Sequence, residues 1–201
     1  MDLKDTYNKI ANDWFNDHKE SDWWNDSAYK FLSYLQKGDR ILDVGCGAGL
    51  KTKYLIDKGF KVVGVDFSEE MIRLSKEYCP EGEFYVKDIK EPLDLGGFDG
   101  IFAQAVLLHF PKTEIIQVLN ELKDSLKEKG YLYLAVKEQR SNEKEEQMVE
   151  ENDYGYKYER FFSFFTLPEI KDYLTQLNMN LVHDNVISKG NSSWIVVIAQ
   201  K

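Results

Sequence analysis

The stretch DRILDVGCGAGL, residues 39–50, decides the fold of this 201-residue chain. It begins with an apolar run, Ile41 to Val44, that is too short for a helix and is typical of a buried parallel strand. Three alternating glycines follow, which allow a tight turn and let a ligand lie against the main chain. A helical pattern starts near Leu50. The order of strand, glycine turn and helix is that of a nucleotide-binding crossover.

The spacing of the glycines and two acids indicates the kind of ligand. The pattern is G-x-G-x-G, whereas dinucleotide folds use G-x-G-x-x-G to hold a pyrophosphate. Asp43, on the strand before the turn, would repel a pyrophosphate but suits a ligand that carries an ammonium group. Asp66 ends the next predicted strand, at about the distance expected for a ribose-binding carboxylate. A ligand with a ribose, an amino-acid part and no diphosphate is S-adenosylmethionine.

Two segments, LDVGCGAG at 42–49 and VGVDFS at 63–68, resemble the class I S-adenosylmethionine-dependent methyltransferases. The chain is most similar to their small, single-domain, methyltransferase type 11/12-like branch, and the match runs in order from about Tyr7 to Lys201. The resemblance implies an α/β, Rossmann-like three-layer sandwich. Its seven-stranded sheet would be mostly parallel, with a final antiparallel strand near Ser193 to Gln200. It also implies an enzyme that uses S-adenosyl-L-methionine and releases S-adenosyl-L-homocysteine.

The glycine turn, the ends of the predicted strands and the first helix supply the positions that the resemblance assigns to the methyl donor. These are Tyr7, Asp43, Gly45, Cys46, Gly47, Gly49, Asp66, Phe67, Met71, Asp88, Ile89, Ala103 and Gln104.

Several of these positions have a specific expected role. Asp66 would accept hydrogen bonds from the ribose hydroxyls, and Phe67 and Met71 would enclose the adenine. Asp88 would accept from the exocyclic amine of the adenine, since a carboxylate only accepts. Gln104, at the carboxyl end of the fourth strand, would touch the amino group of the donor.

No residue has a clear catalytic role, and His109, Tyr7 and Arg160 are weak candidates. His109 has a suitable intrinsic pKa for a general base, but we favour a histidine that holds its loop by hydrogen bonding. Tyr7 could close on the methionine part of the donor or pack on the core, whereas we expect Trp14 to pack. Arg160 could hold a carboxylate or phosphate of the acceptor, although a pair with a nearby acid is favoured. Methyl transfer from a sulfonium mainly requires positioning, so an acid–base motif is not needed.

Composition limits the partners. The net charge of −9 disfavours a broad nucleic-acid surface, which needs clustered cations. Cys46 and Cys79 have no metal spacing and are expected to be reduced thiols, and no metal is predicted. The sequence shows no signal peptide and no apolar run near the ~18 residues of a membrane span. We therefore expect a cytoplasmic protein, monomeric or homodimeric, with a small-molecule partner and no membrane.

We predict one methyltransferase domain over residues 1–201. Within it, residues 1–37 would form a helical lid and residues 138–165 an insertion that covers the site. Glu138 to Asp153 is highly polar and is expected to be mobile, while the aromatic run Tyr154 to Phe165 should pack over the mouth of the site. The alternative acceptor is a tRNA wobble-uridine side chain, because a related branch has a similar aromatic run and Gly-Asn-x-x-Trp strand. Less favoured are a non-catalytic S-adenosylmethionine-binding protein and a nicotinamide dehydrogenase.

Overall fold

The computed structural model describes residues 2–201, with the side chain of Lys189 excepted, so the first residue of the predicted 1–37 lid lies outside it. Strands and helices alternate through most of the chain. In chain order they are α1 (Leu3–His18), α2 (Asn25–Leu32), β1 (Arg40–Val44), α3 (Leu50–Asp57), β2 (Lys61–Asp66), α4 (Glu69–Tyr78), β3 (Glu83–Val86), β4 (Phe98–Gln104), α5 (Ile115–Ser125), β5 (Leu126–Lys137), β6 (Glu146–Glu151), β7 (Tyr158–Ser163), α6 (Leu167–Gln176), β8 (Asn180–Lys189) and β9 (Ser192–Gln200).

Seven strands form one sheet in the order β3-β2-β1-β4-β5-β9-β8. The pairs from β3 to β5 are parallel, and β9 runs antiparallel to both of its neighbours. This confirms the predicted mostly parallel sheet with a final antiparallel strand. The central strands are buried on both faces, which explains why their sequences are continuous apolar runs.

A hydrophobic core lies on each face of the sheet. One core joins Ile101 and Leu132 to helices α5 and α6, while the other packs Phe31 of α2 against Phe102 and Tyr133. The Phe102 and Tyr133 rings stack with centroids 4.2 Å apart. Burial on both faces stabilises the central strands and so holds their carboxyl ends at one edge of the sheet.

Local signals set the helix starts. Ser68 caps α4, with its hydroxyl accepting from the Met71 amide at 3.1 Å. Thr166 and Glu169 form a capping box at the start of α6. Helix α2 begins at Asn25, whose amide donates to the Asp22 carbonyl in the preceding turn.

The polar insertion differs from its prediction. We expected Glu138 to Asp153 to be mobile, whereas Glu146–Glu151 forms β6 and pairs antiparallel with β7. The alternating burial of β6 shows the reason: its outer side chains are solvated and its inner ones face the domain. Aromatic residues of the following segment anchor the hairpin, with Tyr158, Phe162 and Phe165 buried.

Candidate functional site

A cavity of about 700 Å³ opens at the carboxyl ends of β1, β2, β4 and β5. Volumes of roughly 300–1,000 Å³ are usual for ligand sites. The cavity lies where the sheet order reverses between β1 and β4, the place at which open α/β sheets bind ligands. Helix α1 and strand β7 contribute Tyr7, Trp14, Arg160 and Phe162 to its wall.

The glycine turn forms one wall of the cavity, and its backbone requires glycine at two points. Gly45 has a φ of +63°, and a Cβ there would lie 2.5 Å from a methyl carbon of Val106. Gly47 has a φ of +54° and donates its N–H to Asp66 Oδ2 at 3.0 Å. Because L side chains rarely adopt this conformation, the turn presents bare backbone to the cavity.

Asp66 faces the same cavity from the end of β2. Its two oxygens accept from the Gly47 N–H and, at 2.9 Å, from the Ser68 N–H. Burial raises the pKa of Asp66 to about 6, although the backbone donors oppose that shift. Each carboxylate oxygen has a further lone pair, so the side chain can hold the loop and still accept from a ligand.

Gln104 supplies an acceptor with no partner. Its Oε1 atom is buried and forms no hydrogen bond within residues 2–201. The side chain lines the cavity at the end of β4. The next residue, Ala105, has a φ of +60°, an uncommon conformation for a residue with a Cβ. A buried unsatisfied amide oxygen beside a cavity is suited to receive an N–H of a ligand.

Among the lysines that line the cavity, Lys51 and Lys137 were not selected by the sequence reasoning. Lys51 lies in the first turn of α3 and Lys137 ends β5. Neither forms an ion pair with residues 2–201. Burial lowers the pKa of both amines. Their positions, directly after a glycine turn and at the carboxyl end of a strand, were the signals that could have identified them.

A chain of hydrogen bonds joins Arg160 to His109. Arg160 donates to Tyr7 Oη at 3.1 Å, and Tyr7 Oη lies 2.7 Å from His109 Nε2. His109 Nδ1 lies 2.9 Å from the Phe161 carbonyl and so carries the proton, which leaves Nε2 to accept from Tyr7. Burial lowers the pKa of His109 to about 3. Both ring nitrogens are engaged, which favours the loop-holding role over a general base.

Arg160 is also paired with an acid. Its Nε and a terminal nitrogen donate to the two oxygens of Glu151 at 2.5 and 2.6 Å. The fork joins the two strands of the hairpin, and both side chains are largely buried. This arrangement favours the paired alternative for Arg160 over a free anion-binding cation.

The far end of the cavity has the features expected for adenine. Phe67, Met71, Asp88 and Ile89 all line it. Met71 and Ile89 are buried, whereas the Asp88 carboxylate is exposed and accepts from the Lys90 amide at 3.0 Å. The sequence resemblance assigned these four residues to the donor site, and in the structure all four line the cavity.

Four predicted positions are not among the lining residues of the cavity: Asp43, Cys46, Gly49 and Ala103. Asp43 is buried and accepts from the Thr52 hydroxyl at 2.6 Å, and burial raises its pKa to about 6. Cys46 packs with Phe84 behind the turn, and Gly49 lies against Ser75. Ala103 belongs to the core under β4. These residues support the turn from behind.

Both cysteines are free thiols in the interior. Burial raises the pKa of Cys46 well above its ordinary value and that of Cys79 to about 11. Within residues 2–201, no cluster of His, Cys, Asp or Glu could hold a metal ion, and no helix is both long and apolar enough to cross a membrane.

A family model described as a methyltransferase domain matches residues 17–184. The chain belongs to this family. Its fold is that of the class I S-adenosylmethionine-dependent methyltransferases, as the sequence resemblance implied. A Methanosarcina mazei structure named as a SAM-dependent methyltransferase superposes on this methyltransferase domain with a TM-score of 0.77 and 26% identity. That match covers 86% of this chain and 96% of the other.

Two curated relatives match shorter regions. The magnesium-protoporphyrin O-methyltransferase of Rhodobacter capsulatus is 38% identical over 42% of this chain and 40% of its own length. A tRNA U34 carboxymethyltransferase of Alteromonas mediterranea is 32% identical over 57% of this chain and 37% of its own. The methyltransferase domain thus spans about half the length, or less, of these two relatives.

The residues of the cavity fit S-adenosylmethionine, the methyl donor of the family. The glycine turn leaves bare backbone for the methionine part, and the unpaired Gln104 Oε1 can accept from its ammonium group. Asp66 has lone pairs that could accept from the ribose hydroxyls, and Phe67 and Met71 are apolar side chains suited to the adenine. Lys51 is a cation beside the turn that matches the donor's carboxylate.

Proposed function

We propose that this methyltransferase domain transfers a methyl group from S-adenosylmethionine to a small-molecule acceptor. The observation that carries the proposal is the unpaired Gln104 Oε1 in a cavity bounded by the glycine turn and Asp66. A buried amide oxygen without a partner costs about 1–3 kcal/mol, which a ligand N–H recovers on binding.

The donor supplies a methyl carbon made electrophilic by its sulfonium: the lone pair of the acceptor forms the new bond as the electron pair of the C–S bond returns to sulfur. The contribution of this chain is to place the two reactants in line, with the nucleophile about 3 Å from the methyl carbon. Gln104, Asp66 and Lys51 fix the donor by its amino, ribose and carboxylate groups.

The acceptor side of the cavity is apolar and aromatic. Trp23, Trp194 and Phe162 line it, and the Tyr7–His109 pair closes it. His109 is neutral, and both of its ring nitrogens form hydrogen bonds. The proton of the acceptor therefore leaves to solvent or to a group of the acceptor itself. This arrangement supports acceptors whose nucleophile ionises without help from the protein.

A tRNA wobble uridine is the second candidate. The similarity to a tRNA U34 carboxymethyltransferase favours it, as does the presence in the cavity wall of Trp194, from the Gly-Asn-x-x-Trp segment. The net charge of −9 opposes it, since phosphate contacts require cations.

Calorimetry with S-adenosylhomocysteine and NAD tests the proposal. We expect S-adenosylhomocysteine to bind and to raise the melting temperature by linkage, and NAD to do neither. Turnover of methyl-labelled donor with a panel of small acceptors then separates an enzyme from a non-catalytic binding protein.

A matched pair of variants locates the donor. Lys51→Met should weaken S-adenosylhomocysteine binding about tenfold, which corresponds to ~1.4 kcal/mol. Lys53→Met, on the same helix but paired with Asp57 and Glu81 at the surface, should leave it unchanged. Equal affinities for both variants and the wild type would contradict the donor orientation, and absence of binding would contradict the proposed function.

A further inference from the structure

We infer that the acceptor is a flat aromatic molecule that carries a carboxylate, and that Lys137 holds the carboxylate. The inference rests on the proposed function and adds the class of acceptor. Lys137 would be a positioning residue: it would touch a group of the acceptor other than the methylated atom.

The position of Lys137 places it on the acceptor side. In the parallel register of β4 and β5, Gln104 pairs with Ala135, so Lys137 lies two residues beyond the donor-facing residue on the neighbouring strand. The side chain lines the same cavity as Gln104. Lys51, another lysine of the cavity wall, lies on α3 beside the glycine turn. Lys87, which follows β3, also lines the cavity without an ion pair within residues 2–201, so Lys137 is assigned to the acceptor by its place on β5 and not by elimination.

The charges around Lys137 call for a single anion. The charged groups that act most strongly on its amine are Arg160 and Glu151, which neutralise one another through a bidentate hydrogen bond. Glu143 and Arg140, further along the chain, also carry opposite charges. One net positive charge remains, on a half-buried amine that has no ion pair within residues 2–201. A monoanion such as a carboxylate matches that charge better than a doubly charged phosphate.

Aromatic side chains surround the lysine. Its Nζ lies 4.2 Å from the centroid of the buried Phe162 ring, and Trp194 is its direct partner in the β5–β9 register. The Trp23 and Trp194 rings lie 4.9 Å apart, tilted by 35°, and both line the cavity. Flat apolar surfaces next to a cation fit an aromatic acid, whose ring stacks while its carboxylate meets the amine.

The test uses pairs of probes that differ only in charge: 4-hydroxybenzoate, anthranilate and indole-3-carboxylate, each with its methyl ester. Binding is measured by calorimetry with and without saturating S-adenosylhomocysteine. We expect at least one acid to bind about tenfold or more tightly than its ester. Lys137→Met should remove that difference, and Lys137→Arg should restore part of it.

Controls separate this inference from the proposed function. Lys137→Met should leave the affinity for S-adenosylhomocysteine unchanged, whereas Lys51→Met should weaken it and keep the preference for the acid. If Lys137 had only a structural role, Lys137→Met would change the affinities for the acid and for its ester alike. Acids that bind no better than esters, that bind Lys137→Met as tightly as wild type, or that do not bind at all overturn the inference. Failure of S-adenosylhomocysteine to bind overturns the proposed function instead.

Discussion

At the scale of single residues, the most informative group is the Asp66 carboxylate. It is buried, holds the Gly47 and Ser68 amides, and faces the donor cavity. Replacement by alanine would therefore disturb the turn as well as the ligand contact. Asp66→Asn keeps one acceptor oxygen, so it disturbs the turn less and reports more directly on the ligand contact.

We predict that donor affinity falls as the pH falls through the raised pKa of Asp66, which is about 6. Only the ionised form has all its lone pairs free, so the dissociation constant for S-adenosylhomocysteine should rise about tenfold from pH 7 to pH 5. Calorimetry across that range provides the measurement. Asp66→Asn should bind more weakly and with no such slope.

Asp43→Asn is the matched control for this prediction. Burial raises the pKa of Asp43 to about 6 as well, but its side chain bonds to Thr52 and is not among the lining residues. The slope should therefore persist in Asp43→Asn. If the pH dependence disappeared in Asp43→Asn and survived in Asp66→Asn, Asp43 and not Asp66 would be its cause.

The sequence located residues that line the cavity better than it located the partners of the charged side chains. Asp66 and Gln104 follow from strand ends and a glycine turn, which are local signals. The pairing of Arg160 with Glu151, and the lack of a partner for Lys137, depend on strand pairings that bring distant residues together. Such pairings decide which charges remain free, and no spacing in the sequence reports them.

At the scale of elements, the β6–β7 hairpin is tied to α1 by a polar chain. Glu151 holds Arg160, Arg160 donates to Tyr7 of α1, and Tyr7 reaches His109. His109 in turn donates to the backbone of β7. Arg160 thus links the two segments, which are also joined directly by the hydrogen bond from the Thr6 hydroxyl to the Glu159 carbonyl.

We predict that Glu151→Ala loosens this cover. The substitution removes the bidentate hydrogen bond between the guanidinium of Arg160 and Glu151. The free energy of unfolding should fall by about 1.5–3 kcal/mol, the usual contribution of a hydrogen bond to a charged group. Denaturant unfolding should show the loss, and amide hydrogen exchange should rise in both the hairpin and α1. Glu150→Ala is the control, since Glu150 pairs with Lys157 at the surface and should change neither measurement. Faster exchange confined to the hairpin would show that Arg160 does not couple it to α1.

The hairpin also shows why the sequence underestimated regular structure here. Strand β6 contains four acids or amides in six residues, so its composition indicated a mobile segment. Its stability comes from pairing with β7, whose aromatic side chains are buried against the domain. An edge hairpin with one solvated face needs few apolar residues of its own.

At the scale of the whole molecule, charge bears on the choice of acceptor. The chain has 26 basic and 35 acidic residues, so its net charge is negative. We predict no tRNA binding tighter than about 10⁻⁵ M at physiological salt, because non-specific affinity arises from released counterions. Fluorescence anisotropy with a tRNA transcript at low and physiological salt measures this. Submicromolar binding with a steep salt slope would instead favour the wobble-uridine candidate.

The interior position of both thiols has a practical consequence for spectroscopy. Cys46 and Cys79 are buried and their thiolates are disfavoured, so maleimide dyes should react with them slowly in the folded protein. One cysteine introduced on the outer face of β6 and another on α4 could then be labelled without removing the native pair. Energy transfer between the two dyes would follow the distance between hairpin and sheet in real time.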